Sequence, residues 1–120
     1  MFELSQIIFN GLIADQNITD LFDLKIYPLL APGETAGSFI TYKVIQNGSA
    51  TKDGIADYTM IIENYADDYL QALNEAATIT TAVKSINYNT RVYKFNEGTK
   101  NPGITEQHKT FVTQSFNIKI

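Results

Sequence analysis

The sequence predicts an α+β domain: a four-stranded, mostly antiparallel sheet with an N-terminal helix and one long helix packed on one face. Three observations carry this expectation. Residues 39–46 and 56–64 each alternate apolar and polar side chains, and a turn-rich segment joins them, as in a hairpin. Residues 69–86 place apolar side chains at three- and four-residue spacing, the period of a helix with one buried face. Between the N-terminal segment and the first strand, Lys25 to Gly33 holds Pro28 and Pro32. Each proline fixes its own φ, lacks an N–H and pushes the preceding residue toward extended geometry, so an extended, kinked connector is expected.

From Leu4 to Leu12 the apolar residues Leu4, Ile7, Ile8 and Leu12 form one helical stripe, while Gln6 and Asn10 face water. Asp15 to Asp23 mixes turn formers with Ile18, Leu21 and Phe22, and reads as a short helical turn capped by Thr19 or Asp20. In the strand from Phe39 to Gln46, Ile40, Tyr42 and Val44 share a face; in its partner, Tyr58, Met60 and Ile62 do. The tip between them runs from Asn47 to Ile55, and its Asn47-Gly48 and Asp53-Gly54 pairs supply the positive-φ residues that turns require. Asp67 and Asp68 open the long helix, whose expected face is Tyr69, Ala72, Leu73, Ala76, Ile79, Thr80, Val83 and Ile86. A turn at 87–89 leads to a strand over 90–97, and Gly98 to Gly103 reads as a second long turn. The last strand is expected from about Lys109 to Ile120, with Phe116, Ile118 and Ile120 on one face and a bulge between Val112 and Phe116.

At 120 residues the chain is long enough for one domain with a core, spanning 1–120, and too short for two ordinary ones. Nine basic against thirteen acidic residues give a formal charge of −4, which repels a phosphate backbone and argues against sequence-reading DNA binding. A wall of that charge still lets duplex slide past without sticking. There is no cysteine, so disulfides and thiolate metal sites are excluded. Glu3 stands where a secretory leader would carry basic charge, and no apolar run approaches a membrane span, so an intracellular, soluble protein without membrane attachment is expected.

The search for reaction chemistry yields little. His108 has no second histidine or cysteine nearby in sequence to complete a metal set and no declared orienting partner for base catalysis. Asp67 and Asp68 are adjacent residues entering a helix and point in different directions, which favours capping over cation binding. No glycine-rich phosphate loop is present. Lys52, Arg91, Lys94, Lys100 and Lys109, interleaved with Tyr93 and Phe95, superficially suggest a nucleic-acid platform, but the acidic total favours a solvated sheet face. No catalytic, cofactor-binding or metal residue is assigned.

The ordered set of Ile26-Tyr27-Pro28, Pro32-Gly33, the strands 39–42 and 58–62, the helix from Asp67 and the closing Phe116-Asn117-Ile118 resembles bacteriophage tail terminator proteins, also called tail completion or head-tail joining proteins. The resemblance implies a structural protein of a phage or prophage and no enzyme. It implies a homo-oligomeric ring, commonly a hexamer, made in the bacterial host cytoplasm and seated at the virion's head-tail junction. There it would cap the completed tail tube, stop polymerisation and offer a docking surface to a head-side neck protein, with DNA passing through unread. Under it, Asn47, Lys52 and Asp53 in the first hairpin tip and Lys100 and Asn101 in the second loop are the expected contacts with neighbouring subunits or the tube protein. A neck or head-completion connector is the alternative from the same particle. A small ferredoxin-like ligand-binding domain is the alternative from a different class, and would show a pocket with convergent polar groups.

Overall fold

In a computed structural model, which describes residues 2–31, 37–48, 54–88, 92, 94–106 and 108–120, helices pack on one face of a five-stranded sheet. In chain order the elements are α1 (Phe2–Ala14), α2 (Gln16–Phe22), β1 (Ile26–Pro28), β2 (Phe39–Gln46), β3 (Asp57–Ala66), α3 (Tyr69–Ser85), β4 (Lys94–Ile104) and β5 (Thr110–Lys119). The sheet order is β1-β2-β3-β5-β4, so the α+β class holds while the sheet gains a strand and becomes mixed.

The added strand is the connector. Ile26, Tyr27 and Pro28 run parallel to β2 and lie level with Ile40, Thr41 and Tyr42. Pro28 is tolerated because β1 is an edge strand with one neighbour. The Pro32-Gly33 passage lies outside the described residues.

The cap of α2 also differs from expectation. Asp15, not Thr19 or Asp20, accepts hydrogen bonds from the backbone N–H groups of Asn17 and Ile18, at 3.0 and 3.2 Å. Thr19 instead turns its hydroxyl back to the carbonyls of Asp15 and Ile13. A hydroxyl inside the first turn finds an acceptor behind it, whereas a residue just before the helix has β-region backbone and free donors ahead. At the start of α3, Asp68 accepts from the Gln71 N–H at 2.8 Å. Asp68→Ala is expected to cost about 1 kcal/mol of stability, measured as a lower urea midpoint with an unchanged slope.

The largest corrections fall in the second hairpin. Gly98 to Gly103, expected as a turn, runs inside β4; of the strand expected over 90–97, residues 90, 91 and 93 lie outside the described residues and β4 begins at Lys94. What looked like a turn is a bulge between Glu97 and Lys100, where the Ser115 side chain fills the space beside Gly98 and accepts from the Thr99 N–H. Pro102 is accommodated because β4 is the other sheet edge. Conversely, β5 runs against β3 without the bulge expected between Val112 and Phe116. Val112, Gln114, Phe116 and Ile118 all face the core. Gln114 disguised the alternation, since it is a buried polar residue that donates to the Ala76 carbonyl and accepts from the Thr80 hydroxyl.

The core is one apolar layer. Leu4, Ile8 and Leu12 of α1 and Ile18 and Phe22 of α2 meet Ile40, Met60, Ile62, Phe116 and Ile118 of the sheet and Ile79 and Val83 of α3. Ala66, Ala72, Ala76 and Val112 form a thinner seam that lets the first half of α3 lie close to β3 and β5. On α3, Glu75 and Ala82 are buried, while Tyr69 and Leu73, expected inside, are exposed. The inward face is therefore rotated from the expected one toward α2 and the start of β2.

Candidate interaction surface

Among the described residues no second layer covers the sheet face opposite the helices, and the side chains there sort by strand register. Phe39, Tyr65, Phe111 and Gly103 lie level across β2, β3, β5 and β4. Phe39 and Tyr65 stack with centroids 4.5 Å apart and planes 11° from parallel, Tyr65 meets Phe111 at 5.6 Å, and Tyr27 joins Phe39 at 6.5 Å. Gly103 permits this row: a Cβ there would sit 2.5 Å from the Phe111 ring. Lys109 covers the row's end, its ammonium 5.4 Å from the Phe39 ring and 3.4 Å from an Asp67 carboxylate oxygen. Phe39 and Thr41 are buried on this face.

The rest of the face is mostly polar, with Ile45 and Ile61 set among the polar side chains. Thr113 donates to Glu63 at 2.9 Å. Nearer the hairpin base, Asn117 donates to Asp57 at 2.6 Å and Asn47 donates to Asp57 and Thr59. The Asn117 hydrogen bond above all, with Asn47, Lys119 and Lys94, holds the Asp57 carboxyl below the usual range.

Three of the five residues expected at a contact lie among the described ones. Asn47 is exposed, but its amide is engaged within the hairpin base, where it buttresses β3. Lys52 and Asp53 lie outside the described residues. Lys100 and Asn101 are exposed residues of β4, paired with Gln114 and Thr113, and belong to a strand rather than a loop. Asn101 is level with Thr41, six residues along β2 from Asn47, so about 20 Å of strand separates their levels. Among the described ones, Asn47 therefore lies apart from Lys100 and Asn101.

Chemistry of the enzymatic kind has little to work with among the described residues. His108 is an exposed residue of the β4–β5 turn with φ of 64°, its N–H bonded to the Thr105 carbonyl. Asp68 is a cap and Asp67 pairs with Lys109. No group of three or more potential metal ligands occurs among the described residues. A shallow, open groove of about 330 Å³ lies between α2 and α3, with Asp15, Asp20 and Leu21 on one wall and Asn74, Thr78 and Thr81 on the other.

Two features escaped the sequence reading. The aromatic row sits on the phase opposite to the core residues of each strand, a signal present in the alternation but visible only once the register is known. Leu29 and Leu30, directly after Pro28, are 72% and 83% exposed, and Leu29 has φ of 64°. Branched residues rarely hold that conformation, so two leucines presented to solvent on a left-handed turn mark a strained, outward-facing knob.

No family model matches the chain, and no curated protein matches it. Among solved structures, it is similar to a chain in the virion of a native gene transfer agent particle. The TM-score is 0.76 at 17% identity, over 93% of this chain and 90% of that one. The two share one fold. That likeness extends over nearly the whole of both chains.

Proposed function

We propose that this protein is a structural component of a phage-like virion that acts at the head-tail junction. In this reading, copies form a ring, six-membered by preference, on the last ring of a finished tail tube, prevent further addition and present a surface to a head-side neck protein. One observation carries the proposal: the fold matches a gene transfer agent virion chain over nearly the whole of both. The shape suits the task. A tube protein must offer a growing end that binds the next copy, whereas a terminator needs one surface for the tube and a different one beyond it. Among the described residues the helices cover one sheet face and not the other, so the two sides of the subunit differ chemically. The net charge of −4 is compatible with DNA passing through such a ring without being held.

The test is inactivation of the gene in a virion-producing strain, followed by electron microscopy of the lysate. Tails of excess and uneven length, without attached heads, and correction by the purified protein are expected. Tails of normal length beside unjoined heads would transfer the protein to the neck. Unaltered particles would overturn both roles.

A further inference from the structure

The charges of this chain are separated along its length. Residues 1–24 contain Glu3, Asp15, Asp20 and Asp23 and no lysine or arginine. Residues 84–100 contain Lys84, Arg91, Lys94 and Lys100 against Glu97 alone. The fold places the described charges of these stretches on opposite flanks. Glu75 and Gln71 of α3 face Ser38 at the start of β2, and α2 lines a groove with Thr78 and Ala82 on that same side of the helix. Lys84 of α3 instead pairs with Glu97 of β4 across the other side. Acid therefore collects beside α2, toward β1 and β2, and base collects along the β4 edge.

We propose that copies of this chain associate head to tail, the β4 flank of one subunit against the α2 flank of the next, with Lys94 and Lys100 facing Asp20 and Asp23. This rests on the ring reading above and specifies its contact. Two different surfaces on opposite sides make a heterologous interface, which closes into a ring when the rotation per copy divides a full turn. A continuous strand ladder between copies is disfavoured: β1 offers only three residues, and β4 carries a bulge, Pro102 and two lysines, the features that keep sheet edges from pairing. The contact is thus made by side chains. The α2–α3 groove provides a seat, with Leu21 and Ala82 for a lysine's methylenes and Asp15 and Asp20 for its ammonium.

Neighbouring charges reduce the polarity without cancelling it. The Asn117 hydrogen bond above all, with Lys94 as a small contributor, holds the Asp57 carboxyl low; Lys84 above all, with Lys100 as a small contributor, does so for Glu97, and Lys119 adds a further cation at the Lys94 end. On the acidic flank, Asp20 accepts from Gln16 and Asp15 from two backbone donors; Lys25 leans toward Gly37 and the β1–β2 connection.

Sedimentation of the purified full chain at low and high salt tests the proposal with three variants. K94E/K100E and D20K/D23K alter exposed side chains and are expected to keep the wild-type melting temperature while weakening self-association at least about tenfold. The wild-type mass is expected to fall as salt screens the contact. The quadruple variant, with both flanks reversed, should regain it. An equimolar mixture of the two double variants should also regain it if the ring has an even number of places, because the variants then alternate; an odd ring is restored by the quadruple variant alone. Wild-type mass in either double variant, a mass indifferent to salt, no recovery in the quadruple variant, or a wild-type monomer throughout would overturn the interface. Tail length in the gene-inactivation experiment judges the terminator role independently.

Discussion

Phe116→Ala is expected to lower the unfolding free energy by about 3–5 kcal/mol, the cost of deleting a large ring that its surroundings cannot refill. Phe116 is 1% exposed, on a strand with a neighbour on each side, level with Met60 on β3 and Glu97 on β4. Its ring lies 5.9 Å from Phe95, which in turn meets Tyr88 at 6.4 Å. The void would open within the main core, between β3 and β4, and a paired strand has little freedom to collapse into it. Phe111→Ala is the control: one residue type, the same strand, but a half-buried ring on the bare face. Urea unfolding of both variants measures the difference. Equal losses would mean that the bare face contributes as much as the core.

The second expectation concerns Glu75, a carboxylate that is 1% exposed. One of its oxygens accepts from Ser38 at 2.8 Å and from Gln71 at 3.0 Å, while the other has no partner among the described residues. Asn64, whose amide donates to Ala72 one turn earlier on α3, leaves its own carbonyl oxygen without a donor in the same seam. Burial raises the Glu75 pKa, the hydrogen bonds from Ser38 and Gln71 lower it, and Asp67 and Asp68 raise it further, with a net upward shift. The folded state then holds this proton more tightly than the unfolded chain does. Its contribution is complete below the unfolded carboxylate pKa and is lost as pH rises through the folded one. Glu75→Gln keeps an acceptor for Ser38 and Gln71 and replaces the orphaned anionic oxygen with a donor. It is expected to gain about 1–3 kcal/mol at pH 8 and to flatten stability against pH over that window. A variant no more stable than wild type at pH 8 would show that the seam already supplies the carboxylate with a donor.

How much of this fold could be read beforehand depended on whether local chemistry or distant pairing decided each element. The 3.6-residue stripe of α1, the alternation of β2 and β3 and the acidic entry to α3 are local signals, and all three elements formed where they pointed. β1 exists only because β2 offers a free edge, and nothing within Ile26-Tyr27-Pro28 announces a parallel partner. Gly98, Pro102 and Gly103 carry turn chemistry in sequence, yet serve as a bulge, an edge residue and a bed for Phe111. Gln114 and Glu75, polar residues turned inward, shifted the inferred faces of β5 and α3. The expected contact residues came from loops, and two of them, Lys100 and Asn101, turned out to be strand. Charge separation was countable from the start, but only the sheet order shows that its two ends occupy opposite flanks.

The strand order also constrains the birth of the molecule. β5, made after every other strand, inserts between β3 and β4. On the ribosome, β3 therefore waits with one side unladdered until residues 110–119 clear the exit tunnel. Products cut short before that point lack an interior strand, not a dispensable margin, and become substrates for chaperones and proteases instead of slightly weakened subunits.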